Sequence, residues 1–326
     1  MKKLISLILC LNLVFLCGCA RGGGQNDSKT IDKVVINYAR SFSDLSAGII
    51  MHENLLEKYL PDGVEVEWTS LAAASDLRDG VLSGNVHIAS YALPAYIMSM
   101  ESDLPLVMIA RDGASPIKVY ANEERIQSIL DFTDTDKISV LGLGSIMHIA
   151  FLAQAYELGM ESSMFDSSFQ IMPHADGLAA LSGGNGVQGL ILSFPTLIKA
   201  DNTDSIHEVC DLTDIVLEYG IGPVEIVSED FYENHPEIVE AYIKAREEAL
   251  QLCYDEPERI AAVLAEEWEI DEDIVLETLM AMPPTLEITG YDKQAQLLYE
   301  MGLLENEPKK FEELSNYEAL LKLQGK

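Results

Sequence analysis

LSGNVHIASYALP, Leu82 to Pro94, and LSGGNGVQGLILSFP, Leu181 to Pro195, lie about a hundred residues apart and follow one scheme. Each opens with Leu-Ser-Gly, passes an Asn, climbs through apolar residues, and reaches a Ser-aromatic pair and a Pro. A Gly closing a helical pattern is a stop signal, and a short apolar run beyond it reads as a buried strand. The repeated unit is therefore helix, Gly stop, strand, loop. A chain that uses this unit twice is expected to build two α/β lobes of related topology.

The flanking sequence extends both units. KVVINYA (Lys33–Ala39) is a β-branched strand, and ARSFSD then turns, with Ser43 or Asp44 placed to cap a helix from Leu45 to Tyr59. Pro61-Asp62-Gly63 ends that helix. VEVEWTS alternates as a strand, SDLRDGVLSG is a short helix, and LPLVMIARDG and SPIKVYAN supply two more strands. In the second half KISVLG, SFQIMP and VQGLILS are strands, while SIMHIAFLAQAYELG and ADGLAALSGG are helices. Strands alternating with helices imply α/β lobes with mostly parallel sheets. PVEIVS (Pro223–Ser228) reads as a crossover strand. After it come helices only: Asp230–Cys253 interrupted near Pro236, Pro257–Trp268, Asp271–Met280, Tyr291–Met301, and a last piece from Glu312. With no sheet of their own, they are expected to pack back on the first lobe. That makes residues 33–118 and 224–326 one lobe, and 119–223 the other.

The 326 residues suit about two domains, and 48% hydrophobic with 23% charged residues is ordinary for a globular protein. A net charge of −33 excludes nucleic acid as a partner, because phosphate binding needs Lys and Arg that release counterions. It does not set the sign of a small ligand, since exposed charges are screened over roughly 8 Å and the lining of a cleft matters more. Runs such as Glu266, Glu267, Glu269, Asp271, Glu272 and Asp273 read as solvated helix faces.

The start is an address. Lys2 and Lys3 precede an apolar run from Leu4 to Leu16, broken only by Ser6 and Asn12. It is shorter than the roughly 20 residues a membrane span takes and has the layout of a signal peptide. Leu16-Cys17-Gly18-Cys19 looks like a bacterial lipobox, with Cys19 as the residue to be lipidated. The alternative is an ordinary signal peptide cleaved after Gly18 or Ala20. Residues 19–32, Gly-rich and polar, read as a flexible tether. Cys210 and Cys253 then remain in the folded part, and Cys253 shares an apolar stripe with Ala249 and Leu250, as a buried thiol does.

Catalytic and metal motifs are sparse. GLGSIM (Gly142–Met147) invites a dinucleotide reading, but Met147 stands where the third Gly belongs. His52, His87, His148, His174, His207 and His235 show no metal-ligand spacing on one helix. No Gly-x-Ser-x-Gly elbow occurs, and no Cys sits beside a base. Neither a metal nor a cofactor is expected.

The order strand–ARSFSD–helix, LSGNVHIAS, LGLGS opening a helix, MPHADGLAALSGGNG and SEDFYENHPEIVEAYIKAREEAL resembles the solute-binding proteins of ABC importers. The group is the one for nitrate, sulfonates, taurine and thiamine-pyrimidine precursors, and the tail LLYEMGLLENEPKKFEELSNY is also similar. The resemblance implies a two-lobed periplasmic-binding-protein-like fold (type II) with the ligand cleft between lobes. It implies a monomeric, lipid-anchored receptor on the extracytoplasmic face that hands a small solute to a permease and its ATPase. The same fold also resembles pyrimidine synthases of thiamine biosynthesis, and a ligand-sensing lipoprotein is a further alternative. Where the family often has Asp, this chain has His87 and Gln188, which puts the ligand in question.

Ligands of open α/β sheets bind beyond the carboxyl ends of strands. That rule nominates Arg40, Ser41, Phe42 and Ser70 after the first two strands, and Ser90 with Tyr91 after the third. In the second lobe it nominates Ser193 with Phe194, and His174 and Asp176 at a helix start. Gly144, Ser145 and Ile146 open the SIMHIAF helix, whose free N–H groups suit an acceptor, and His148 lies one turn on. Arg111, Asp44 and Asp112 are also placed in cleft loops.

Overall fold

A computed structural model describes residues 31–71, 73–285, 288–314, 317, 320 and 321. The expected signal peptide, most of the tether, and Cys19 lie outside the described residues. Ten strands follow in chain order: β1 (Lys33–Asn37), β2 (Glu65–Thr69), β3 (Ile88–Ala92), β4 (Leu106–Arg111), β5 (Ile117–Ala121), β6 (Ile138–Val140), β7 (Phe169–Ile171), β8 (Gly189–Ser193), β9 (His207–Asp211) and β10 (Pro223–Ser228). The helices are α1 (Leu45–Glu53), α2 (Ala74–Leu82), α3 (Leu93–Glu101), α4 (Ile146–Glu157), α5 (His174–Ser182) and α6 (Leu197–Asp201). Then come α7 (Thr213–Tyr219), α8 (Glu229–Asn234), α9 (Pro236–Asp255), α10 (Pro257–Trp268), α11 (Glu272–Ala281) and α12 (Tyr291–Glu300).

The strands form two five-stranded sheets, ordered β2-β1-β3-β10-β4 and β7-β6-β8-β5-β9. Position by position the two orders correspond, so β3 and β8, the strands of the opening stretch, occupy the same central place. In each sheet one strand is exchanged from the other half of the chain. β10 runs antiparallel between β3 and β4, and β5 runs antiparallel between β8 and β9. The central strand β8 (GLILS) is buried along its whole length, and so is β4 (LVMIAR) although it ends its sheet, which is why both read as apolar runs. The edge strand β2 (EVEWT) keeps its alternation.

The Leu-Ser-Gly signals act alike in both halves. Gly84 and Gly184 sit at φ +72° and +65°, a region that favours glycine. Beside them Asn85 N–H donates to Gly80 O and Asn185 N–H to Ala180 O, closing the ends of α2 and α5. The two departures from the family pattern are also matched. His87 Nδ1 accepts from Val35 N–H at 2.8 Å, and Gln188 Oε1 accepts from Lys137 N–H at 2.9 Å. Each side chain accepts a backbone N–H of the neighbouring segment, within β1 for His87 and just before β6 for Gln188. Both precede their strands, at the ends opposite the cleft, and neither is among its lining residues.

Several elements differ from expectation. The first helix stops at Glu53 rather than Tyr59, because Asn54 turns left-handed at φ 50° and the chain continues as a 3-10 turn over Leu56–Lys58. Its anticipated Asp44 cap is not one: the carboxylate turns back to accept from Ala39 N–H, while Ser41 Oγ accepts from Ser43 N–H. Beyond β3, where the repeated unit implies a loop, Leu93–Glu101 is helical, with Pro94 in a first-turn position that suits a helix. β9, α6 and α7 are additional to the elements expected from the sequence. α9 packs on α1 and β4, α10 on α1, and α12 on α3.

Candidate ligand-binding cleft

The carboxyl ends of β1, β3, β6 and β8 converge on a cavity of about 800 Å³. From the first sheet's side come Asn37, the loop Ala39–Asp44, Ser90 and Tyr91 at the end of β3, and Met98 on α3. From the second come Leu141–Met147, Ile171, His174, and Ser193 through Thr196. The walls are mostly apolar, with few polar groups turned inward, as small-molecule sites are. A Cβ at Gly144 would meet the Met98 sulfur at 3.9 Å, so the walls nearly touch there.

Ser145 caps α4 by accepting from His148 N–H at 3.3 Å. Gly144 N–H is already used, donating to His148 Nδ1 at 3.1 Å. Asn37 is 2% exposed and clamps Leu71, whose N–H it accepts at 2.7 Å. Behind the cleft lies a buried charged group. Arg246, fully buried on α9, donates through Nη2 to Arg111 O at 2.8 Å and pairs through Nη1 with Glu225 at 2.8 Å. Asp112, 3.6 Å from the guanidinium, accepts from Ser46 N–H and Oγ–H and from its neighbour Gly113 N–H. Burial pushes the Glu225 carboxyl up to about 8 despite Arg246, with Asp44 and Asp112 adding repulsion and the Tyr242 hydroxyl opposing it. Burial likewise raises Asp44 to about 6, opposed by hydrogen bonds from Ser90 and Ala39 N–H.

Of the nominated residues, Arg40, Ser41, Ser90 and Tyr91 line the cavity from one side. Gly144, Ser145, Ile146, His174, Ser193 and Phe194 line it from the other. Four do not line it. Phe42 is fully buried, edge-on to Phe194 at 5.5 Å and tilted against Trp268. His148 is turned into the second lobe, edge-on to Phe169 at 4.5 Å, where burial lowers it to about 4 and keeps it a neutral acceptor for Gly144. Ser70 is exposed beyond the edge strand β2, and Asp176 is exposed on α5. Arg111 and Asp112 also face away. Arg111 is buried with its guanidinium on the carbonyls of Thr289 and Gly220. Phe194 does more than line the cleft: at 2% exposure it inserts between Phe42 and Trp268 of the other lobe, 5.5 and 5.9 Å between ring centres. Asn37, Met98, Leu141 and Ile171 were missed. The strand-end rule finds Asn37 and Leu141, whereas Met98 required recognising α3.

Two α/β sheets of matched topology with a cavity between their strand ends define a two-lobed binding-protein fold. By sequence, the NMT1/THI5-like family matches residues 59–260, and the chain belongs to that family. No curated protein sequence matches it. Among solved structures it is similar to the periplasmic aliphatic sulphonate binding protein SsuA of Escherichia coli, 19% identical with a TM-score of 0.66 over 86% of this chain and 96% of that one. A Candida albicans gene product, CA3427, described as having the generic periplasmic binding protein fold, is 14% identical with a TM-score of 0.71 over 91% and 95%. The periplasmic nitrate-binding protein NrtA of Synechocystis PCC 6803 is 16% identical with a TM-score of 0.59 over 76% and 69%. The chain has the periplasmic binding protein fold.

Proposed function

We propose that this protein is the solute-binding component of an ABC importer, closing its two lobes on a small organic solute. The cavity of about 800 Å³ formed by the strand ends of both sheets carries the reading. A ligand held between both walls favours the closed form by its differential contacts. The similar proteins are binding proteins by name, for sulphonate and nitrate. Together with pyrimidine precursors, these are the solute classes the sequence resemblance implies. The binding-protein names of those neighbours also weigh against the enzyme alternative.

In this reading residues 1–18 are a signal peptide, Cys19 carries lipid, and 19–32 tether a monomer to the extracytoplasmic face. Among the described residues no helix is long and apolar enough to cross a membrane. The lobes comprise about 33–118 with 224–326, and 119–223. A thermal-shift screen over sulfonates, nitrate, pyrimidines, amines and amino acids tests it. A true ligand at a hundredfold its Kd adds about 3 kcal/mol to the native state. Uptake by the cognate permease and ATPase then separates transport from sensing. Consumption of the ligand by the protein alone would overturn the reading in favour of an enzyme.

A further inference from the structure

The cavity's charges are unevenly placed. Among the described lining residues the cations are Arg40 and Arg78. Arg40 has a side chain 73% exposed that reaches toward Glu267 at 3.6 Å, and Arg78 pairs with its neighbour Asp79 at 2.9 Å. Burial pushes His174 down, which disfavours its charged form. The acidic lining side chain is Asp44, which is 5% exposed. Its carboxylate is held by Ala39 N–H at 2.8 Å and by the Ser90 hydroxyl. The nearby cation, Arg246, is committed to Glu225, Asp112 and Arg111 O. Three buried carboxyls thus share one guanidinium, and the one that borders the cavity has no counter-charge of its own.

Granting the binding-protein reading, we propose that Asp44 recognises a positively charged head group, a primary ammonium or an amidinium, carried on an apolar body. An oxyanion seated against Asp44 would place like charges together in a buried site, which strongly disfavours binding. A cation supplies the missing counter-charge, and Ser41 and Ser90 accept from its remaining N–H groups. The apolar body fits Leu71, Tyr91, Met98, Leu104, Leu141 and Ile146, which line the rest of the cavity.

Two probes of equal size and opposite head charge test this: benzylammonium and phenylmethanesulfonate. Calorimetry and thermal shift are run on the wild type and on Asp44→Asn. The amide still accepts from Ala39 N–H and removes repulsion from Asp112 and Glu225, so the variant's own melting point is expected to hold or rise. Benzylammonium should stabilise the wild type and phenylmethanesulfonate should not. Asp44→Asn should weaken benzylammonium by about thirtyfold or more. Tighter binding of the sulfonate by the wild type overturns the proposal, as does an Asp44→Asn affinity within about threefold of the wild type. If neither probe binds, the cationic class is rejected, while the binding-protein reading is decided by the broader screen and uptake assay.

Discussion

Replacing Arg246 by Met keeps the length and apolar stem of the side chain and removes its charge. In the wild type the guanidinium is fully buried and faces Glu225 at 2.8 Å and Asp112 at 3.6 Å, with Asp44 nearby. Deleting one partner of a buried pair costs about 3–5 kcal/mol, because the remaining charge is left uncompensated. For a chain of this size about 2 °C of melting point accompanies each kcal/mol, giving a drop of roughly 6–10 °C where Glu225 is ionised, above about pH 8. The pH dependence is the sharper test. Glu225 is raised in the fold to about 8, so the stability it contributes is complete below its ordinary range and is lost as pH rises through about 8. Asp44, raised to about 6, behaves likewise in a lower window. Each unit across such a window is worth about 1 kcal/mol per proton. Without Arg246 both groups hold their protons to still higher pH. The deficit of Arg246→Met should therefore be largest near about pH 8.5 and shrink by half or more near about pH 5.5. Thermal unfolding followed by circular dichroism at both pH values measures it. A deficit of equal size at both ends would refute the assignment of Arg246 as the shared neutralising charge.

Phe194→Ala empties the space between Phe42 and Trp268 and should cost about 3–5 kcal/mol, with small-angle scattering showing a looser pair of lobes. A loss under about 1 kcal/mol would remove the ring as an interlobe clasp. Gly177→Ala drives a methyl into Ser139 Oγ and places it 2.9 Å from Leu190 Cδ1. Overpacking of that kind costs about 1–3 kcal/mol, and chemical denaturation should show Ser139→Ala recovering part of it. Tyr91→Ala should weaken the ligand at least several-fold by calorimetry, since losing a stacked ring costs on the order of 1 kcal/mol beyond its area. Cys19→Ala should move the protein from the membrane fraction to the soluble fraction; an unmodified Cys19 in the intact mass of the mature wild type would dismiss the anchor.

The two α/β units, their Gly stops and most helix limits were legible because these signals are local. A period, a cap or a stop is written within a few residues of where it acts. The exchange of β10 and β5 between sheets was not legible as pairing, because nothing near Pro223 or Ile117 states which distant strand it will meet. The cleft was half legible. Strand ends select the loops, which is why Ser41, Ser90, Ser145 and Ser193 line the cavity. They do not select the rotamer, so Phe42 in its loop and His148 in the first turn of α4 turn away into their own packing. Asp44 was noticed as a possible cap and as one of several cleft acids. Its distinction is burial beside an already committed Arg246, a relation among residues about two hundred positions apart.

The placement of β10 also sets an order of synthesis. Among the described residues β4 joins its sheet only through β10, which arrives after every strand of the other sheet has been made. A growing chain that has passed Asp211 holds all the strands of one half, while the earlier half waits with β4 detached from β1, β2 and β3. The lobe that begins first finishes last, and both walls of the cleft exist only once Pro223–Ser228 has been threaded between its neighbours.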